Sequence, residues 1–454
     1  MAQLALEYEY KEVNMRRQLL TVCVITLLTL SQISKADVNS PDSNNLKTLE
    51  DYLNFASSNN AELKASFEEW KAALQQIPQA KSLDDPTLTY ETGRGGDPRV
   101  DPSMQKIGIT QVFPWLGKIE ARTDAASANA KAARQRLEAA KLKLYWQVKK
   151  EFYEFLYLKE AIDIAGQNLE LIKHFEQVAL TKYTTATGTH PDIIRAQIEL
   201  ANLDEILVSL KELKKPQIAR LNAILNRPAE AGLDWPNKPA FFKLRLDSAQ
   251  LTKLLKEKNP QLAELGWTIE SARNEVKLAK KNFYPDIGVG VAPQRDVTGD
   301  NSITWMFSMN VPLWRNKYKA SVEEAQANVR KITHQKTNTE NSLIAELANV
   351  LYEIEESQRQ MNLHGNIMLP KAEQLVNASE MGYKAGTIDF LTLIDSQRVL
   401  LEHSLAYQRA ITDNQQKLAE LEMLVGMQLA EPLKNADDFN HSVKDKNSPT
   451  GSTK

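Results

Sequence analysis

Between residues 118 and 182 the chain has no proline and one glycine, and its apolar residues recur every three or four positions. The stripe runs Tyr145, Val148, Phe152, Phe155, Leu158, Ile162, Ala165, Leu169 and Ile172. A mean step near 3.5 keeps one helix face apolar and winds packed helices into a left-handed coiled coil. An unbroken helix over this span is about 98 Å long, at about 1.5 Å per residue. Its first third carries alanine instead, at Ala121, Ala125, Ala128, Ala132 and Ala139, and small side chains admit a close neighbour. A polar turn at 184–189 and a return helix over 192–225 complete a long helical hairpin.

A different pattern precedes the hairpin. Residues 87–92 and 106–113 flank Gly93-Arg94-Gly95-Gly96-Asp97-Pro98, and 286–292 and 302–311 flank a similar polar loop. The last segment alternates, with Ile303, Trp305, Phe307, Met309 and Val311 on one face and Thr304, Ser308 and Asn310 on the other. Period two between Gly/Asp/Pro-rich connections predicts strand hairpins. Helices are predicted ahead of each pair, over 46–82 and 251–282.

The second half repeats the first. Asn60 and Leu63 answer to Asn259 and Leu262, Pro86 to Pro285, and Phe113-Pro114 to Val311-Pro312. Tyr183 and Thr187 answer to Tyr383 and Thr387, Ile194 and Gln197 to Ile394 and Gln397, and Leu221 to Leu421. A nearly constant offset means one unit duplicated in tandem. The fold class is mainly α with a small β part, each unit being helix, two strands and two long helices. The second long helix spans 317–383, carries Leu343, Leu347, Val350 and Ile354 at the same spacing, and contains Pro370, which must kink or break it. The units are expected at 37–226 and 248–430, joined by an irregular connector at 227–247 with Pro228, Pro236 and Pro239. Residues 431–454 are polar and expected to be disordered.

The front end adds a compartment. Arg16-Arg17, the apolar run 19–30 and Ser34-Lys35-Ala36 predict a cleaved signal peptide over 1–36, with Met15 as the expected true start. Cys23, the sole cysteine, lies inside the apolar run; acylation there is disfavoured because Val22 is large, and the mature chain is left without thiol chemistry. Charges nearly cancel, 56 basic against 58 acidic, so nothing suggests nucleic acid as a partner. No later stretch is apolar enough for a transmembrane helix.

Four strands cannot close a membrane barrel, since known single-chain barrels start at about eight strands. An open edge in lipid leaves backbone groups unpaired at several kcal/mol each. If these are membrane strands, several chains must share one barrel; three chains bring twelve strands, and their helices form a hollow cylinder beneath.

Two motifs then carry a resemblance. One is Ile109-Thr110-Gln111-Val112-Phe113-Pro114-Trp115-Leu116-Gly117-Lys118, echoed by Met309-Asn310-Val311-Pro312-Leu313-Trp314. The other is Tyr383-Lys384-Ala385-Gly386-Thr387, followed by Leu391, Leu393-Ile394 and Gln397. With these the chain resembles the TolC family of outer-membrane efflux channels over nearly its whole mature length. The Gln-x-Phe-Pro-Trp-x-Gly-Lys form is similar to the branch serving heavy-metal (cobalt–zinc–cadmium or copper–silver) pumps of the RND type. The resemblance implies a homotrimer whose α-barrel continues into a shared 12-stranded transmembrane β-barrel in outer-membrane lipid. It implies a passive duct, a periplasmic adaptor protein at the far helical turns, and an inner-membrane pump. It also implies adaptor contact at Tyr383, Gly386 and Thr387. Ala186 stands where the second copy has Gly386, which shifts the first turn's expected contact to Gly188.

The family narrows its pore with acidic residues, and Asp395 falls on one such position, while Thr392 stands where a second acidic residue often sits. Asp389 and Asp192 lie near the turns. The alternative for all three carboxylates is a solvated or helix-capping role. No catalytic constellation is found, so no enzyme and no cofactor are expected. Gly93, Gly95 and Gly96, like Gly288 and Gly290, lie in a hairpin loop and a strand rather than before a helix, which speaks against phosphate binding. His174, His190, His334, His364, His403 and His441 show no ligand spacing, and only His190, beside the first turn, is kept as a candidate. Alternatives to metal export are multidrug efflux and protein secretion through the same duct. A periplasmic adaptor would show one helical hairpin with many short strands, and a coiled-coil scaffold explains neither the strands nor the signal peptide.

Overall fold

A computed structural model describes residues 46–94, 103–239, 242–243, 247–295, 301–429 and 431–432. The expected signal peptide with Met15 and Cys23, Gly95 and Gly96, and positions 433–454 of the expected tail lie outside the described residues.

The first unit runs α1 (Leu49–Asn59), α2 (Ala61–Lys81), β1 (Thr87–Arg94), β2 (Ser103–Phe113), α3 (Lys118–Thr184), α4 (His190–Glu212) and α5 (Lys214–Leu225). A two-residue strand, β3 (Phe242–Lys243), lies in the connector. The second unit runs α6 (Ser248–Lys258), α7 (Pro260–Lys281), β4 (Ile287–Arg295), β5 (Asn301–Met309) and α8 (Arg315–Asn362). A π-helical turn (Leu363–Met368), α9 (Leu369–Ala385) and α10 (Phe390–Val425) complete it. Strand β6 (Glu431–Pro432) pairs antiparallel with β3, so ordered backbone enters the stretch expected to be disordered.

Each opening helix is broken once, at the asparagine shared by both copies. Asn60 leaves helical geometry (φ −58°, ψ 129°), its Oδ1 accepts the Leu63 amide at 2.9 Å, and its Nδ2 donates to the Ile224 carbonyl at 2.8 Å. Asn259 (φ −62°, ψ 121°) accepts from the Leu262 amide at 3.0 Å and donates to the Leu424 carbonyl at 2.8 Å. One side chain thus caps a helix and ties it to the end of the return helix. This explains why Asn60 and Leu63 recur as Asn259 and Leu262.

The α3 helix is unbroken over 67 residues, about 100 Å long. Of its expected stripe, Val148, Phe152, Phe155, Leu158, Ala165 and Ile172 are buried. Ala121, Ala125, Ala128 and Ala132 of its alanine third are buried too, and there Ser271 Oγ of α7 donates to the Ala125 carbonyl at 3.1 Å. Helix α3 packs against α2 on one side and α7 on the other, and α7 in turn against α8. No residue of α2 is fully buried, and the first half of α8 is largely exposed, so these two helices form the lateral edges of the layer.

Pro370 acts through the turn before it. Lacking an N–H, it cannot donate to the carbonyl four residues back, and the ladder loosens into the π turn Leu363–Met368. The turn also absorbs a length difference. Before it, buried Leu144 and Leu347 answer at one offset to Leu343 and Val148, taken crosswise; after it, buried Ala179 and Ser379 stand one residue further apart. A π turn accommodates one inserted residue while both flanking helices keep their packing face. The first return helix is interrupted instead, at Leu213 ahead of Pro216, whereas α10 runs 36 residues without a break.

Candidate functional site

The four long strands form one antiparallel sheet in the order β1-β2-β4-β5. The register aligns Leu88, Ile109, Val291 and Trp305 in one row across all four strands. The next row on that face joins Gln111, Val289 and Phe307. Leu88 is 72 % exposed, Trp305 68 % and Phe307 76 %, so an apolar face lies open. The opposite face aligns Thr87, Thr110, Gly290 and Met306, and beside them Val112, Gly288 and Ser308. A Cβ at Gly288 would lie 2.3 Å from Ser308 Oγ, and one at Gly290 2.6 Å from Thr110 Oγ1. The two glycines thus make room for the Ser308 and Thr110 side chains. Strands β1 and β5 each pair on one side only, which leaves two open edges. Among the described residues no helix is long and apolar enough to cross a membrane.

The Phe-Pro-Trp-x-Gly-Lys motif joins sheet to helices. Gly117 takes a left-handed conformation (φ 82°) at the start of α3, and a Cβ there would meet Lys281 Nζ at 2.6 Å. That ammonium donates to the Leu116 carbonyl at 3.2 Å. Lys118 is buried and donates to Asp286 Oδ1 at 2.7 Å and to the Tyr284 carbonyl at 3.1 Å. The Trp115 amide donates to the same Asp286 oxygen at 2.8 Å, and its ring stacks on Tyr284 at 5.3 Å. The motif therefore clamps one copy's strand–helix junction onto the other copy's. Asp286, expected as the first residue of a strand, lies one residue before β4, where its carbonyl accepts the Asn310 amide at 3.3 Å while its side chain serves this clamp. Tyr284 and Lys281, which the Trp115–Lys118 stretch meets, carry no motif of their own. Around the junction Leu116, Leu313 and Trp314 are exposed by 83 %, 72 % and 79 %.

At the far end the two helical turns share one backbone. Ala186 and Gly386 both adopt left-handed φ, 57° and 78°. The Thr187 amide donates to the Lys182 carbonyl at 2.8 Å and the Thr387 amide to the Gly382 carbonyl at 2.9 Å. Both threonine hydroxyls donate to those same carbonyls at 3.1 Å. Alanine thus takes the position that glycine fills in the second copy, at a cost of about 1 kcal/mol. Gly188 does not replace Gly386: its φ is not positive, and it packs on Lys182, whose Cβ would lie 2.9 Å from an added Cβ.

The turns are joined by their side chains. Tyr383 is 3 % exposed, with its ring edge-on to Phe390 at 5.2 Å. Its hydroxyl donates to Asp192 Oδ2 at 3.3 Å. Burial, followed by the Asp192 charge, pushes its pKa up to about 12. Lys182 Nζ lies 4.7 Å above the Tyr383 ring and donates to the carbonyls of Tyr383 and Lys384. Nothing in the sequence singled out Lys182; the contact spans 201 residues.

The three acidic candidates separate. Asp389 is the N-cap of α10, accepting from the Thr392 amide at 2.8 Å and hydroxyl at 2.6 Å, and the hydroxyl and then the amide hold its pKa below the usual carboxylate range. Asp192 closes a capping box with Thr189 at the start of α4 besides accepting from Tyr383. Asp395 is exposed on α10, one turn before Arg398, which pairs with Glu199 of α4. Thr387 and Gly386 are exposed at the turn, and His190 begins α4 with its ring 5.7 Å from that of Tyr183.

The family described as outer membrane efflux protein is matched twice, at residues 53–227 and 251–427. The cobalt-zinc-cadmium resistance protein CzcC of Cupriavidus metallidurans is 24 % identical over 395 residues, covering 84 % of this chain and 90 % of that protein. The crystal structure of CusC superimposes with a TM-score of 0.72 at 13 % identity, covering 84 % of this chain and 92 % of that one. The outer membrane protein VceC of Vibrio cholerae gives 0.71 at 18 % identity, covering 84 % and 96 %.

Proposed function

The chain belongs to the outer membrane efflux protein family, and from that premise we propose that it is the outer-membrane channel subunit of a tripartite efflux system. It works as a passive homotrimeric duct in outer-membrane lipid, fed by a periplasmic adaptor and an RND-type inner-membrane pump. The observation that carries this reading is the open four-stranded sheet. Its exposed apolar rows suit lipid, and its two unpaired edges demand neighbours, because backbone groups in hydrocarbon must be satisfied. Three chains supply twelve strands to one closed barrel, and the edge helices α2 and α8 meet between chains below it. The exposed Leu313 and Trp314 fit the headgroup level, where tryptophan is favoured. A duct needs no reaction chemistry of its own.

Heavy-metal cations are the proposed cargo, on the likeness to CzcC and on the Gln111-to-Lys118 motif. Fractionation of cells should place the mature chain in the outer membrane as a cross-linkable trimer; a soluble monomer overturns the duct. Deleting the gene should sensitise cells to cobalt, zinc or cadmium, and unchanged metal tolerance with altered drug tolerance would move the cargo to organic compounds.

We further propose that Tyr383, Asp192 and Lys182 hold the two helical turns together in a closed state, while Gly386 and Thr387 present the turn to the adaptor. Tyr383→Phe removes a hydrogen bond to a charged acceptor, worth about 1.5–3 kcal/mol, and should raise single-channel conductance. Unchanged conductance leaves the contact a packing feature. Asp395→Ala should lower cation selectivity if Asp395 faces the pore.

A further inference from the structure

Two histidines far apart in the chain meet where the second copy departs from the first. His364 lies in the π turn and His403 on α10, with ring centres 5.2 Å apart and planes inclined by 41°. Gly365 lies beside them: a Cβ there would lie 2.5 Å from Tyr407 Cε2 of α10, so a larger residue would have to displace that ring.

The protonation of His364 follows from its neighbours. Gln360 donates through Nε2 to Glu356 Oε1 at 2.8 Å, which leaves Gln360 Oε1 as an acceptor. His364 Nε2, 3.1 Å from that oxygen, must therefore be the donor. The ring proton sits on Nε2 and the Nδ1 lone pair is free. Nδ1 of His364 and Nδ1 of His403 are both buried, and neither has a hydrogen-bond partner among the described residues. Leaving such an atom unpaired costs about 1–3 kcal/mol.

We infer that His364 and His403 form a binding site for one divalent transition-metal cation of the zinc and cobalt kind, each offering Nδ1. Two imidazoles sharing a tetrahedral ion at about 2.0–2.1 Å have ring centres roughly 5 Å apart. The Glu356–Gln360–His364 relay is the outer-shell support that metal-bound imidazoles use to fix their tautomer. His364 opens on a cleft of about 410 Å³ that is also lined by Gln360, Glu356 and Asp413, with Arg409 paired to Asp413. No third His, Cys, Asp or Glu joins the pair among the described residues, so water completes the coordination and binding is reversible. The first copy has Leu203 where His403 stands, and Ile164 and Ala165 flank the place of His364. The site thus belongs to one copy only. It stands apart from the duct reading, since a chain that exports no metal would still bind cobalt here.

The test is titration of the purified full-length chain in detergent with Co²⁺, followed by visible absorption. One ion per chain is expected, with the intense bands of low-symmetry four-coordinate cobalt. His403→Leu, which restores the first copy's residue, should abolish them while leaving far-ultraviolet circular dichroism unchanged. Gln360→Leu leaves both ligands in place and should weaken binding about tenfold, which covers the case of a misfolded His403 variant. Absence of the bands in the unaltered chain, or bands that persist in both variants, overturns the site.

Discussion

The two long helices that descend from the sheet end in turns of the same backbone, yet differ above them. Helix α3 is continuous over 67 residues, whereas its counterpart is divided into α8, a π turn and α9. The cores beneath the sheet differ in kind as well. The first copy packs Tyr52, Val148 and Phe155, and the second packs Leu251, Leu347 and Ile354 in the matching places. One pattern of apolar positions therefore tolerates two fillings, because the helix period decides which residues face inward and volume decides only how they fit. The π turn teaches something else. An inserted residue that would rotate the rest of the helix is absorbed locally, and the local cost leaves a turn able to carry side chains that the other copy does not need.

The largest effect should separate the two junctions. Lys118→Ala leaves the half-buried Asp286 carboxylate without its cation and should cost about 3 kcal/mol. Lys317→Ala, at the exposed start of the other descending helix, should stay within about 0.5 kcal/mol. Denaturant unfolding of the detergent-solubilised protein measures both, and equal losses would mean that the junctions are equivalent after all. The next test sharpens what the copies share. Asn60→Ala and Asn259→Ala should each cost about 2 kcal/mol by the same assay, from a lost cap and a lost bond to the return helix. A markedly unequal pair would break the equivalence of these helix starts. The smallest effect concerns the far turns. Ala186→Gly should gain, and Gly386→Ala lose, about 1 kcal/mol, since only glycine takes left-handed φ without strain.

Much of this was legible beforehand because it is periodic. The α3 stripe, the alternation of Ile303, Trp305, Phe307 and Met309, and the recurrence of Asn60 as Asn259 each follow from a local rule repeated along the chain. The helix breaks at Asn60 and Asn259 were not legible, although the residues were noticed, because an asparagine caps a helix only where a carbonyl and an amide converge on it. Pro370 marked the disturbance but not its form. Position in the sequence points to the acidic residues near the turns, and the structure gives Asp389 and Asp192 the capping bonds that are their alternative role. His364 and His403 show no ligand spacing in the sequence, a criterion that applies within one helix and not between two.

By itself the sequence determined the duplicated plan: which residues are helix, which alternate, and which face is apolar. These depend on backbone periods of 3.6 and 2, and on proline and glycine, all of which act over a few residues. Tertiary structure alone decided the pairing of Lys118 with Asp286, of Tyr383 with Asp192, and of His364 with His403. Each of those contacts joins segments that meet only after the long helices have packed, and side-chain reach of a few ångströms cannot be inferred from separation along the chain.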